Sequence, residues 1–474
     1  MMPSPNISFD SIPSSIRKPG KYFEFNTRLA VRTLPGNLQK VLAVGQRLAS
    51  GSHPALEPVD VFSDEQAAQL FGRGSYAHLM ARAAITANPY LQLTLIAVDD
   101  AAAGVAATGS VTLGGPATSS GVVSLYVGTT RVDVAVTSGD AASTVASALK
   151  ASLDKQTDLP VTAAAAGTVV TLNARHKGAA GNGIKLKAVS TAAGVTAAVV
   201  AMANGAVDPD LTPALATMVG AGHHIVVSPF ADQASLTAVR SHLEFVSGPM
   251  EQRGAIAAFG WPGTLASGTT LAGQINSGRI TGAWHRGSAK LPCEIAAGYA
   301  AVLASEEDPA RPLNTLELKG LDVTGLTDRP SRTEQENALY NGLTPLEIGP
   351  GDRVQIVRAI STYTKDAQGI DDVALLDITT IRTLDYVRKA CRERIALRFP
   401  REKLSERTPD KVRSELYDVL LKLEELEIVE NVEANKAGLL VERDSQDANR
   451  LDAKIPTDVV NGLHVFAGRI DLLL

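Results

Sequence analysis

The chain has 474 residues, 45% of them hydrophobic and 20% charged, and sets 45 Lys and Arg against 50 Asp and Glu for a net charge of −5. That length exceeds a single hydrophobic core, so roughly two to four domains are expected. The near-balanced charge leaves no footprint for nucleic acid or an anionic membrane surface, and no apolar run approaches the roughly 20 residues of a spanning helix. Cys293 and Cys391 are too far apart for a CxxC-type metal cluster and read as buried thiols of a reducing compartment. Pro, Ser and Asp stand at the N-terminus where a secretory signal needs an apolar stretch, so no export is implied and a soluble product made in a cytoplasm is expected.

A Pro/Ser-rich leader precedes Lys21-Tyr22-Phe23-Glu24-Phe25-Asn26, in which Phe23 and Phe25 alternate with Glu24 and Asn26. Period-two alternation is a strand signal, yet nothing beside it in sequence offers a partner. The last twelve residues, 463–474, have the same character and place Phe466, Ile470, Leu472 and Leu474 on one face. An open apolar edge invites pairing with another chain. Two such arms either donate strands to neighbouring subunits or pair within their own.

After the first arm, residues 40–45 read as a short buried strand. Ser63-Asp-Glu-Gln66 reads as a capping box opening a helix over 67–71, with Tyr76–Ala87 a second helix and 91–98 the next strand. Continuous apolar strands separated by helices argue for a parallel sheet covered on both faces. The pattern stops at Asp99-Asp100 and resumes near Pro209, with helices over 215–219 and 235–245 and strands over 224–228 and 254–259. A doubly wound α/β core split by an insertion is the economical reading.

Residues 99–206 form that insertion, rich in Ala, Gly, Val, Thr and Ser, with Tyr126 its lone aromatic residue. Short strands are expected over 111–113, 122–127, 131–136, 169–172 and 184–188, with one helix over 141–153. This is a small β-rich unit grafted into a loop of the core. The chain turns loop-like from Arg311-Pro312 through Pro350-Gly351 and then enters a charged third. There 373–378 reads as a strand, and Ile381, Leu384, Val387, Cys391, Ile395 and Phe399 mark a helix stopped by Pro400. Thr408 reads as the N-cap of a further helix, with Pro409 at its first position. Asn461-Gly462 reads as a hairpin turn into the terminal strand. The fold class is therefore multidomain α/β and α+β. It comprises an arm at 1–26, a core at 27–98 plus 207–330, the insertion at 99–206, a C-terminal α+β domain at 331–460 and a strand arm at 461–474.

Catalytic patterns are poor. Residues 263–270 have P-loop spacing but no lysine and read as a turn, and there is no Gly-x-Ser-x-Gly elbow, His-x-x-x-His pair or Gly-x-Gly-x-x-Gly loop. His223-His224 adjoins a strand, where successive residues face opposite sides. Ser228 reads as a satisfied hydroxyl at a strand end rather than a nucleophile, and Asp371-Asp372 lacks the neighbours of a calcium loop. No catalytic residue, cofactor or metal site is assigned. The other reading, an α/β hydrolase-like enzyme with an inserted β domain, rests on fold analogy alone.

Ile7-Ser-Phe-Asp-Ser-Ile-Pro13 and Arg17-Lys-Pro-Gly-Lys-Tyr-Phe-Glu-Phe-Asn26 closely resemble the N-terminus of tail sheath proteins of phage Mu-like contractile tails. So do residues 384–404, with their Phe399-Pro-Arg-Glu-Lys-Leu404 exit, and Ile455-Pro-Thr-Asp-Val-Val-Asn-Gly-Leu-His-Val465. The insertion is similar to the outward-facing extra domain of these sheaths. The resemblance, which phage-derived tailocins share, implies a structural protein without chemistry of its own. It implies hexameric rings stacked around a tail tube, with baseplate and tail terminator proteins as further partners, no nucleic acid and no direct membrane insertion. It places the protein in the virion tail. It also implies that contraction drives the tube through the host envelope for genome ejection, and that both arms add strands to a sheet of neighbouring subunits. Tyr22, Phe23, Phe25, Val465, Phe466, Ile470 and Leu472 are the expected arm residues. Contraction without a nucleotide site implies a metastable extended form, with bends near Pro19-Gly20 and Asn461-Gly462. The C-terminal third carries eleven cations against five acids over 382–413, and then seven acids against Lys422 over 415–433. Either the two helices neutralise each other or face solvent, or the basic one faces an acidic tube through Arg388, Lys389, Arg392 and Arg398.

Overall fold

The computed structural model describes residues 17–23 and 34–473. Expectations that fall on 1–16, 24–33 and Leu474, Phe25 among them, lie outside the described residues. Strand β1 (Lys40–Gln46) is buried from its second residue to its last, as the unbroken Val-Leu-Ala-Val run requires. Next come β2 (Pro58–Asp60), α1 (Asp64–Phe71), α2 (Tyr76–Ala87) and β3 (Gln92–Val98). β1 and β3 pair in parallel from Lys40↔Gln92 to Gln46↔Val98, and α1 and α2 supply the crossover that a parallel pair needs. Ser63 accepts from the Gln66 amide, while the Gln66 side chain accepts from Phe62 instead of closing a capping box. The helix therefore starts at Asp64, three residues before its expected first turn.

The chain then leaves the sheet for β4 (Ala106–Leu113), β5 (Gly121–Val127), β6 (Thr130–Val136), α3 (Ala142–Asp154), β7 (Val161–Ala166), β8 (Val169–Lys177), β9 (Leu186–Ser190) and β10 (Ala197–Ala203). These form two antiparallel sheets, in the orders β10-β4-β8-β7 and β6-β5-β9, with α3 packed on β6, β7 and β8. β7 and β10 were not expected. Their sequences, VTAAAA and AAVVAMA, are mostly alanine with only two β-branched residues each, and partners on β8 and β4 override that weak propensity. Val105 and Ala206 exchange backbone bonds of 2.9 and 3.1 Å across the neck of this excursion.

Back in the large sheet the order is α4 (Thr212–Thr217), β11 (Ile225–Val227), α5 (Gln233–Ser247), β12 (Ile256–Trp261), α6 (Leu265–Ile275), β13 (Ile280–Trp284), α7 (Pro292–Ser305), α8 (Arg332–Tyr340), β14 (Thr344–Gly349) and β15 (Arg353–Ile356). The eight strands lie in the order β15-β14-β13-β12-β11-β1-β3-β2, parallel except at the two edge pairs. α2 and α7 pack on each other over β1, β11, β12 and β13, while α4, α5 and α6 form a second group over β3 and β12. Gly260 lets α7 close on β12, because a Cβ there would lie 2.3 Å from the Pro292 carbonyl oxygen. Gly45 does the same for α2, where a Cβ would meet Ala77 at 2.7 Å.

Two expectations change here. Residues 263–270 are no turn: Thr264 caps α6 by accepting from Ser267, and Gly268 survives inside the helix because the Trp261 ring fills the space of its missing side chain. The C-terminal domain does not begin at residue 331, since β14 pairs with β13 and β15 with β14, extending the core sheet to Ile356. α8, inside the expected loop, opens with a complete capping box between Ser331 and Glu334. The buried apolar residues follow the same division: one cluster runs from Val41 to Ile378 and a second from Tyr386 to Leu439.

The second cluster joins α9 (Ile378–Arg398), α10 (Thr408–Glu425), β16 (Val429–Glu430), α11 (Val432–Asn435), β17 (Leu440–Arg443), β18 (Leu451–Lys454) and β19 (Asp458–Val459). The expected strand over 373–378 is a turn leading into α9 at Ile378, and Asp377 is taken by a two-bond pair with Arg358, 2.8 and 2.7 Å. Thr408 is the first residue of α10 rather than its cap: its hydroxyl donates to the Lys403 carbonyl at 2.7 Å, which turns it away from the helix amides.

Candidate assembly surfaces

The expected hairpin at Asn461-Gly462 does not form. β19 pairs instead with β16, Val429↔Val459 and Glu430↔Asp458, and no strand follows it through residue 473. A strand is defined by an edge that accepts its backbone bonds, and none of the described residues offers this segment one. Leu463, Val465, Phe466, Ile470, Leu472 and Leu473 are 78–98% exposed. His464 tethers the stretch, with Nδ1 3.0 Å from the Asn314 amide and Nε2 3.5 Å from Asp377. At the other end Phe23 is 88% exposed and Tyr22 donates its hydroxyl to the Lys18 carbonyl at 3.0 Å; neither lies in a strand.

The C-terminal unit presents open edges. β17 and β18 form a two-stranded sheet, Leu440↔Lys454 to Arg443↔Leu451, and β16 with β19 a second of two residues each. Isolated pairs of this size are marginal in water. Beside β18 lies an apolar groove of about 770 Å³, walled by Leu384, Val387 and Ile395 of α9, Val412 and Leu416 of α10, and Leu451 of β18.

The basic face of α9 is spoken for within the subunit. Arg388 donates to the Ser247 carbonyl (2.7 Å) and Asp385 (2.8 Å), Lys389 to the Gly36 carbonyl (2.7 Å), and Arg392 to the Gln252 carbonyl (3.2 Å). Arg394 bridges Glu415 (3.1 Å) and Asp418 (2.8 Å) on α10, and Arg398 lies 3.5 Å from Glu415. Arg388, Lys389 and Arg392 thus hold α9 against the core, largely through backbone carbonyls, while Arg398 lies against α10. Sequence alone hid the acceptors, since several are backbone carbonyls more than a hundred residues away.

Ser228 and Asp372 are held within the subunit. Ser228 is buried and donates to the Phe230 carbonyl at 2.8 Å, and Asp372 accepts from the Tyr363 hydroxyl at 2.6 Å. Cys293 and Cys391 are buried free thiols, and burial pushes both pKa values up, Cys391 to about 11. Among the described residues no group of three or more His, Cys, Asp or Glu converges to hold a metal, and no helix is long and apolar enough to cross a membrane.

Comparisons with known proteins agree with one another. Residues 204–362 match the model of the phage tail sheath protein central domain, and 371–472 that of the phage tail sheath C-terminal domain. The chain is 36% identical over 489 residues to the Mu-like prophage FluMu tail sheath protein of Haemophilus influenzae, covering 99% of this chain and 100% of that one. At the level of fold it is similar to the sheath tail protein of Desulfitobacterium hafniense, with a TM-score of 0.52 and 13% identity over 94% of this chain and 97% of the other. The corresponding protein of Listeria innocua gives 0.51 and 15% over 91% and 94%. A chain of the anti-feeding prophage baseplate gives 0.53 and 11% over 97% and 100%. On these matches the chain belongs to the phage tail sheath family.

Proposed function

We propose that this protein is the structural subunit of a contractile tail sheath, held together by terminal segments that each copy donates to its neighbours. Six large apolar side chains in the last described eleven residues stand in solvent without a partner strand among the described residues of their own subunit, and this observation carries the reading. A donated strand gains backbone bonds at an open sheet edge and buries alternate side chains in the groove beside β18, completing sheets too small to stand alone. The N-terminal arm, with Tyr22, Phe23 and Phe25, acts likewise.

The assembly is a set of hexameric rings stacked around a tail tube, bounded by baseplate and terminator proteins. It is made in the host cytoplasm and carried on the virion. It has no chemistry of its own: energy stored in contacts between subunits drives contraction and pushes the tube through the host envelope, with the arms bending near Pro19-Gly20 and Asn461-Gly462. The core is read as doubly wound about β1, with β3 on one side and β11 to β14 on the other. The domains are an arm at 1–26, a core at 27–98 plus 207 to about 360, a surface insertion at 99–206, an assembly domain from about 371 and an arm from 461.

Electron microscopy of the purified chain tests the reading. Full-length protein forms tubes of constant diameter, and protein ending before Arg469 remains a soluble monomer. Normal tubes from that truncation overturn the arm mechanism.

A further inference from the structure

A cavity of about 210 Å³ opens under the amino ends of β1, β11 and β12, and one face of α9 forms its other wall. Arg382, Asp385, Tyr386, Lys389 and Arg392 of α9 line it, opposite His224. Arg382 is only 6% exposed. Its Nη2 donates to the Glu306 carbonyl at 2.6 Å, while Nε and Nη1 have no acceptor among the described residues. A buried ionised donor left unpaired is costly and rare in a native fold.

The cavity wall does not supply the missing charge. Its one carboxylate, Asp385, is shared by Arg279 and Arg388. Arg253 is held by Glu251, and Lys389 and Arg392 meet neutral carbonyls. From behind, Glu306 and Asp308 favour the charged form of Arg382, yet burial outweighs them and lowers its pKa to about 10. The ring of His224 senses the same excess: burial, then Lys389, His223, Lys40 and Arg382, hold its pKa down to about 4.

We propose that this cavity is an oxyanion site, in which a phosphate or carboxylate group occupies the free donors of Arg382 beside Lys389 and Arg392. Charge-assisted bonds to a guanidinium are the strong kind, and an anion there ties α9 to the amino ends of the core strands. Two sources share this chemistry, a free inorganic anion and a carboxylate from a second copy of the chain.

Calorimetric titration of the unassembled full-length protein with inorganic phosphate, against chloride at equal ionic strength, tests the site. Saturable binding is expected, with competition by acetate. Arg382→Met abolishes it, and the double variant Lys389→Gln and Arg392→Gln, at less buried positions, weakens it roughly tenfold or more. Thermal unfolding gives a second reading. Arg382→Met melts higher than the natural chain without phosphate, because it removes a half-satisfied buried charge, and loses that advantage as phosphate rises. Retention of phosphate by assembled tubes assigns the site to a free anion, and its exclusion assigns it to a neighbour's carboxylate; either supports the proposal. No saturable phosphate or acetate binding, or binding unchanged in both variants, overturns it.

Discussion

Asp385 of α9 grips Arg279, the residue just before β13, through two bonds of 2.6 and 3.1 Å, with both side chains less than a fifth exposed. Arg279 also donates to the Ala255 carbonyl at 3.1 Å, so one guanidinium joins two core strands to the first helix of the C-terminal unit. Replacing Asp385 by Ala leaves Arg279 and Arg388 without their shared carboxylate. The expected cost is about 2–3 kcal/mol, below the roughly 3–5 kcal/mol for breaking a fully buried pair. Urea unfolding measures it, and a double-mutant cycle with Arg279→Ala should return a coupling energy clearly above zero. Additive losses would mean that the clasp is ornamental.

Phe466→Asp and Ile470→Asp should separate assembly from stability. Both side chains are almost fully exposed in the isolated subunit, so the unfolding midpoint should shift by no more than about 0.5 kcal/mol. In a donated strand the same carboxylates would enter an apolar groove, and tube formation should fail. Variants that polymerise normally would show that these residues lie outside the subunit contact.

Much of the fold is legible in sequence wherever one physical signal dominates. β1 and β3 are apolar runs, and α2 takes the bounds expected of it, Tyr76–Ala87, with Ser75 accepting from the His78 amide as its cap. β7 and β10 were hidden because alanine carries little strand preference and only a tertiary partner decides its state. The exposure of Phe466 and Ile470 was readable as a terminal apolar pattern, but the absence of a partner strand in the subunit was not, since Asn461-Gly462 signals a turn whether or not an edge is available. Charge runs are hard to read for a related reason. Counting acids and bases cannot reveal that Arg388 bonds the Ser247 carbonyl, nor that Arg382 is buried with two nitrogens that find no acceptor among the described residues.

Acid should weaken the core as soon as the pH falls below the ordinary histidine range. Burial, followed by nearby positive charge, lowers the pKa of both His223 and His224 from 6.5 to about 4. Both stay neutral in the fold while the unfolded chain takes up protons below pH 6.5, so stability falls as pH drops from 6.5 to about 4 and levels off beneath. Each of the two costs on the order of 3 kcal/mol of stability across that window. His242 and His285 are lowered too and add to the slope. Denaturant midpoints measured from pH 4 to 7 should show a shallower slope in His223→Leu/His224→Asn than in the natural chain; identical slopes would place the pH dependence elsewhere.

The neck of the insertion offers a test of how tightly that unit is fixed. Asp100 accepts from His176 Nδ1 (2.8 Å), the Lys177 amide (2.9 Å) and Gln46 Nε2 (2.9 Å), while His176 Nε2 accepts from the Tyr76 amide at 3.2 Å. These bonds assign the His176 proton to Nδ1, facing the carboxylate. Burial alone would raise the Asp100 pKa, but the bonds from His176, Lys177 and Gln46 outweigh it and hold the carboxyl below its usual range. The stabilisation is therefore present above about pH 4 and lost as pH falls through the lowered value. Asp100→Asn cannot accept from all three donors and should cost about 1–3 kcal/mol, concentrated at the neck. Hydrogen exchange of β4 and β8 should quicken while the core strands β1 and β12 keep their protection. Tube formation should persist, because none of the exposed terminal residues lies on the insertion. Equal loss of protection in β1 and β12 would show that the insertion and core unfold as one unit.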